Sequence, residues 1–209
     1  EAARIADHIL STACIDHGHV RYFQLERRGR HVLRPFALNT DLYNGLPGLA
    51  IFFCELARVT GDARYGQAAQ RTLASARRDW TRSAPLPGRI GAFCGMAGWI
   101  YTLALMGSRM GQNRLIQEAL GLLPQLHSNI TADRYLDVIG GSAGALLVLV
   151  SLERLVPGKG AIEVARACAE HLLATAQSDK QGVRWISTDF AGQHAMTGFS
   201  HGASGIAAA

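Results

Sequence analysis

At 209 residues, 48% hydrophobic and 18% charged, the chain has the composition of a folded globular protein, which excludes a disordered one. Its net charge of +5 comes mostly from scattered arginines; the one dense cluster, Arg27-Arg28-Gly29-Arg30-His31, is short, has a single aromatic (Phe23) nearby and reads as a solvated loop, so no nucleic-acid partner is indicated. The four cysteines (Cys14, Cys54, Cys94, Cys168) form no C-x-x-C pair, which argues against a disulfide framework or a Cys-rich zinc site and fits a reducing cytoplasm.

No apolar run approaches the roughly 18 residues of a membrane span, Gly144 to Leu152 being among the longest. No signal peptide is visible, and the chain begins at Glu1 without Met. Residues 2–15 place Ile5, Ile9, Leu10 and Ala13 on one face of a helix. A basic, glycine-containing loop is expected from there to about Leu38. Asp41-Leu42-Tyr43-Asn44-Gly45 then leads into an apolar run from Leu49 to Ala57, as a helix buried all round would show, and Gly61 closes it.

Tyr65, Ala68, Ala69, Thr72, Leu73 and Ala76 follow at helical spacing with Arg and Gln between them, the pattern of an amphipathic surface helix. The alternation then returns twice. Trp99 to Met106 is apolar, and Leu115, Ala119, Leu122, Leu123 and Leu126 mark an amphipathic helix after it. Ala145 to Leu152 is apolar, followed by Ile162, Ala165, Ala169, Leu172, Leu173 and Ala176. A last apolar helix begins near His201. No segment alternates convincingly as a strand, so the expected fold class is all-α.

Ahead of each apolar helix stands the same motif, a residue followed by Gly-x-x-Gly: Asn44-Gly45-Leu46-Pro47-Gly48, Cys94-Gly95-Met96-Ala97-Gly98, Gly140-Gly141-Ser142-Ala143-Gly144 and His201-Gly202-Ala203-Ser204-Gly205. The first glycines lie 50, 46 and 61 residues apart. Repetition at this period points to stacked supersecondary units, each burying its apolar face on its neighbours. Buried helices alternating with amphipathic ones suggest an inner ring wrapped by an outer ring, an (α/α) toroid. Glycine at the helix starts permits tight turns and close approach. The inner-helix N-termini would gather at one end of the barrel, where their unpaired N–H groups suit developing negative charge, so a catalytic site is expected there.

Aligned on the first glycine, the residue four before it is Asp41, Gly91, Asp137 or Gly198, and the residue just before it is Asn44, Cys94, Gly140 or His201. The ionisable members can converge on one mouth. Each has a plainer reading: an Asp that binds backbone N–H groups at a helix start, a small buried cysteine, a loop histidine. What raises His201 and Asp137 is their shared register and the ability of His to exchange a proton near neutral pH. On residues alone Asp137 does not rank above Asp41. His17-Gly18-His19 has the look of a metal pair, but without a third partner an exposed turn is the better reading.

The segments Asp41-Leu42-Tyr43-Asn44-Gly45-Leu46-Pro47-Gly48, Ile90-Gly91-Ala92-Phe93-Cys94-Gly95, Leu136-Asp137-Val138-Ile139-Gly140-Gly141-Ser142-Ala143-Gly144 and Thr197-Gly198-Phe199-Ser200-His201-Gly202 resemble the lanthionine synthetase C-like family. The match is closest to the C-terminal cyclase domain of class II bifunctional lanthipeptide synthetases. The resemblance implies an (α/α) toroid of seven helical hairpins, of which about four are present, so that residues 1–209 form the N-terminal part of one cyclase domain. It implies a dehydrated precursor peptide as substrate, whose Cys thiolates add to dehydroalanine or dehydrobutyrine to give lanthionine and methyllanthionine rings, and an N-terminal dehydratase domain in the full-length protein. By motif the family's acid/base His falls on His201 and its Asp on Asp137, which returns Asp41 to its structural reading. The resemblance also implies zinc at the barrel mouth. Its ligands in the family come from Trp-Cys-x-Gly and Cys-His-Gly motifs in later repeats, and this chain holds neither dipeptide; Cys94 stands in the second repeat, where the family has no metal role. The chain is therefore expected to be inactive in this form.

Two other readings compete. An (α/α)-barrel glycosidase or lyase would use a carboxylate pair, for which Asp41 and Asp137 are available, although aromatics are only 7% of the chain. A non-catalytic scaffold of the same family, binding glutathione or a partner protein, would carry the same motifs.

Overall fold

Helices dominate both of the compact units into which the chain divides, residues 1–84 with 109–111 and residues 85–108 with 112–209. The computed structural model describes residues 1–28, 32–82, 88–180, 182–187 and 195–209. Among these no helix is long and apolar enough to cross a membrane.

The first unit opens with α1 (Ala2–Ser11), whose buried residue is Ala6, while Ile5 is exposed. Four short strands follow, β1 (Cys14–Asp16), β2 (His19–Arg21), β3 (Phe23–Arg28) and β4 (Val32–Ala37), paired antiparallel as β1–β2 and β3–β4. Here the structure corrects the expected loop. Leu25, Leu33, Phe23 and Phe36 are exposed on a two-stranded ribbon, so no face was buried to impose an inside–outside alternation. Of the basic cluster, Arg27 and Arg28 belong to β3, and Gly29, Arg30 and His31 lie outside the described residues.

Next come α2 (Leu46–Thr60) and α3 (Ala63–Arg82). Gly61 ends α2 with φ +72° and returns its N–H to Ala57 O at 2.8 Å, and Asp62 Oδ1 accepts from Arg64 N at 2.9 Å to start α3. The buried face of α3 is Tyr65, Ala68, Ala69, Thr72, Leu73, Ser75 and Ala76, the face its periodicity marks. In α2, by contrast, Ile51 and Phe52 are only half-buried and Val59 is exposed, short of burial on every side.

In the second unit α4 (Met96–Arg109) buries ten residues, including Trp99, Ile100, Leu103 and Met106, and does approach burial all round. The amphipathic segment after it is two helices, α5 (Asn113–Gly121) and α6 (Leu123–Asn129), because Pro124 lacks an N–H and cannot continue the first. A single 3-10 turn, Ile130–Ala132, leads to the loop before α7 (Ser142–Leu155). α8 (Ala161–Thr175) buries Ala161, Val164, Ala165, Cys168 and Leu172, whereas Ile162 and Leu173 are 40% and 74% exposed. Of the expected face Ala165 and Leu172 are buried, and Ala161, Val164 and Cys168 complete it in place of the larger Ile162 and Leu173. A hairpin of β5 (Gln177–Asp179) and β6 (Gly182–Arg184) precedes α9 (Ala203–Ala208). Leu136, Val138, Ala143, Leu172 and Ile206 pack into one cluster against Trp185, whose indole N–H donates to Leu172 O at 2.8 Å.

All four Gly-x-x-Gly motifs do start a helix, with the first glycine directly before α2, α4, α7 and α9. A Cβ on Gly45, Gly141 or Gly202 would lie 2.3 Å from Asp41 O, Leu136 N or Met196 O, so close approach requires glycine there as expected. Their φ of −121°, −120° and −144° form no left-handed turn. The loop instead folds back so that helix N–H groups bond to carbonyls seven residues earlier: Leu46 to Asn39, Met96 to Arg89, Ala97 to Ile90, Gly98 to Gly91, Ala143 to Leu136, Gly144 to Asp137, Ala203 to Met196 and Ser204 to Thr197. The N–H groups expected to be open to an anion are thereby satisfied within the loops.

Candidate active site

The site is built from the loops leading into α4, α7 and α9. The first two are bound backbone to backbone: Gly91 N donates to Gly140 O at 2.8 Å, and Phe93 N and Cys94 N both donate to Ile139 O at 3.0 Å. A Cβ on Gly91 would lie 2.5 Å from Gly140 Cα, so this approach requires glycine at a register position that holds Asp in the first and third repeats.

The third loop carries Asp137, which is 2% exposed. Its Oδ1 accepts from Gly140 N at 2.7 Å, and its Oδ2 meets His201 Nδ1 at 2.8 Å. The structure thus brings together the two residues singled out in sequence, 64 positions apart. A buried carboxylate accepts only, so Nδ1 of His201 carries the proton and Nε2 is the nitrogen that can take one up or release it. The imidazole is about one-third exposed, placed to reach a substrate, while its carboxylate partner is sealed behind it.

Asp133 escaped the sequence reading and is the anchor of this loop. Fully buried, it accepts from Tyr135 N (2.8 Å) and Leu136 N (3.3 Å) at Oδ1, and from Ser142 N (2.7 Å) and Ser142 Oγ (2.6 Å) at Oδ2. It therefore caps α7 from nine residues upstream, a distance no local capping pattern reveals. Between the two aspartates Leu136 has φ +63°, a left-handed conformation costing a non-glycine residue about 1–2 kcal/mol. Its buried side chain in the apolar cluster and the bonds of its N–H and C=O hold it there.

A shallow cavity of about 130 Å³ opens over the pair, lined by Arg89, Cys94, Tyr135, Asp137, Gly140 and His201 among others. Cys94 is half-buried in its wall. Arg89 Nε donates to Tyr135 Oη at 3.4 Å, and its guanidinium lies over the Tyr135 ring, 5.8 Å from the centroid.

The remaining candidates lie in the first unit. Asp41 Oδ2 accepts from Asn39 Nδ2 at 3.0 Å and its N–H donates to Asn39 Oδ1 at 2.9 Å, the bonding of a loop-forming residue. His17 is exposed, has φ +47° in the β1–β2 turn and meets Asp16 Oδ1 at 2.6 Å through Nδ1. Among the described residues no three His, Cys, Asp or Glu side chains are grouped as a metal site needs, so the zinc that the resemblance implies has no fit there.

A search of curated proteins finds no match for the chain. The family model described as lanthionine synthetase C-like protein matches residues 37–209, a span that takes in all four glycine motifs, both aspartates of the α7 loop and His201. With its motifs, its helical fold and this match over most of its length, the chain belongs to the lanthionine synthetase C-like family.

Proposed function

We propose that residues 1–209 are the N-terminal part of a lanthipeptide cyclase domain of the class II type, an incomplete (α/α) toroid acting on a dehydrated precursor peptide in the cytoplasm. The observation that carries this reading is the 2.8 Å contact of His201 Nδ1 with the buried Asp137 carboxylate in a chain of this family. His201 Nε2 takes the proton of the substrate thiol, and the thiolate adds to Cβ of dehydroalanine or dehydrobutyrine. The π electrons move onto Cα and the carbonyl oxygen as an enolate. The imidazolium then returns its proton to Cα, so S–H and C=C are replaced by S–C and C–H with nothing oxidised or reduced. Asp137 fixes the tautomer and stabilises the imidazolium; positioned acid/base groups of this kind contribute about 10²–10⁴ in rate.

No step is routed through zinc, for which the described residues offer no fit. Its ligands, and the hairpins that would close the toroid, are assigned to parts of the complete domain outside these 209 residues, which makes this chain inactive alone. The test uses the complete enzyme and its dehydrated peptide. Cyclisation leaves the mass unchanged, so rings are counted as loss of thiols that an alkylating reagent can label. His201→Ala and Asp137→Asn are each expected to slow ring closure by about 10²–10⁴. Closure at the parent rate in both variants would sink the assignment, and peptide binding without closure by the parent enzyme would favour the non-catalytic scaffold.

A further inference from the structure

We infer that Arg89 is a further catalytic residue of the proposed cyclisation, its guanidinium stabilising the enolate oxygen formed as the thiolate adds. The inference rests on the cyclase reading above. It starts from a need that the pair leaves unmet: the one proton that His201 Nε2 carries is spent on Cα and cannot also neutralise the carbonyl oxygen, on which negative charge develops. In many enzymes backbone N–H groups at a helix start receive such charge. Here they are engaged. Met96, Ala97, Gly98, Ala143, Gly144, Ala203 and Ser204 give their N–H groups to loop carbonyls, and Ser142 gives its own to Asp133. In the cavity wall Gly140 N is bound to Asp137 and Cys94 N to Ile139.

Arg89 supplies what the backbone does not. It lines the same cavity as Asp137 and His201, and a guanidinium keeps its full charge and five N–H donors at any working pH. Its position is fixed from two sides before substrate arrives. The Arg89 carbonyl accepts the N–H of Met96, the first residue of α4, and the side chain rests on Tyr135, whose own N–H is held by Asp133. Preorganisation of this kind lets a charge act on the transition state without a reorganisation cost at the moment of reaction.

The experiment uses the complete enzyme, its dehydrated precursor peptide and the variants Arg89→Met, Arg89→Lys and Tyr135→Phe. Two rates are read: ring closure, as kcat and KM, and deuterium entry at Cα of a preformed lanthionine in heavy water, which reports enolate formation in the reverse direction. Arg89→Met is expected to lower kcat about 10²–10³-fold with KM little changed, and to slow deuterium entry by a similar factor. Arg89→Lys, which restores a charge, recovers part of both rates; Tyr135→Phe, which keeps the ring and removes the hydroxyl that orients Nε, falls between. The two milder variants decide the matter if Arg89→Met does not fold. A raised KM with unchanged kcat would make Arg89 a ground-state anchor for the peptide and overturn the inference, as would unchanged deuterium entry. A parent enzyme that closes no ring sinks the cyclase reading itself, an outcome distinct from an active parent and an equally active Arg89→Met.

Discussion

Asp133 shows how much a single buried carboxylate can organise. Its four accepted hydrogen bonds tie Tyr135, Leu136 and Ser142 into one frame around Asp137. Asp133→Ala would orphan three backbone N–H groups and a hydroxyl, and is expected to cost about 3–5 kcal/mol in urea denaturation at neutral pH. Asp133→Asn keeps one acceptor and should cost less. Cys168, fully buried nearby, is the second residue to test. Burial pushes its thiol up to about 12, with the Asp133 charge adding to the rise. Below about pH 9 the thiol is protonated in the folded and unfolded chain alike, and pH leaves the balance alone. Above it the unfolded chain releases the proton while the folded chain holds it, so folding loses about 1.4 kcal/mol per pH unit until the folded thiol ionises near 12. Denaturation of the parent and of Cys168→Ala between pH 8 and 11 should show the shallower fall in the variant; parallel curves would clear the thiol of any part.

Among the elements, the docking of the α4 loop onto the α7 loop leaves no room for a side chain at Gly91. Gly91→Ala would push a methyl group into the Gly140 backbone, and neither loop can yield without breaking the three hydrogen bonds between them. A loss of about 1–3 kcal/mol or more is expected, read as a lowered thermal midpoint. The sequence made α3 legible because one face is buried: six of its seven buried residues are those its spacing marks, Ser75 being the exception. It concealed the hairpins, because β3 and β4 expose Leu25, Leu33 and Phe36 and leave no clean period of two. It marked the buried face of α8 only in part: Ala165 and Leu172 are buried as expected, Ala161, Val164 and Cys168 were missed, and Ile162 and Leu173 face out. At the site, register made His201 and Asp137 candidates but marked Asp41 equally; only the family resemblance set Asp137 apart, and the structure brings it and His201 into contact. Asp133 and Arg89 could not be found in this way: their partners Ser142 and Tyr135 lie nine and 46 residues away, and neither residue belongs to the repeat.

For the whole molecule, the absence of a metal-holding group among the described residues gives a measurable expectation. The purified 209-residue chain should carry well under one equivalent of zinc by elemental analysis, and the complete domain about one. Stoichiometric zinc in the short chain would require ligands drawn from within it and would displace the present reading of the cavity. The packing of Gly91 against Gly140 also bears on how a chain of repeated units diverges. Two of the four copies, the first and third, carry a carboxylate at this position, and the second and fourth carry glycine. In the second copy a carboxylate is shut out, because the neighbouring backbone already occupies the space where the side chain would begin. The copies therefore differ in what they can become: the first and third already hold Asp41 and Asp137, Gly198 in the fourth has open space around it, and only Gly91 in the second is barred from a carboxylate by folding rather than by selection on activity.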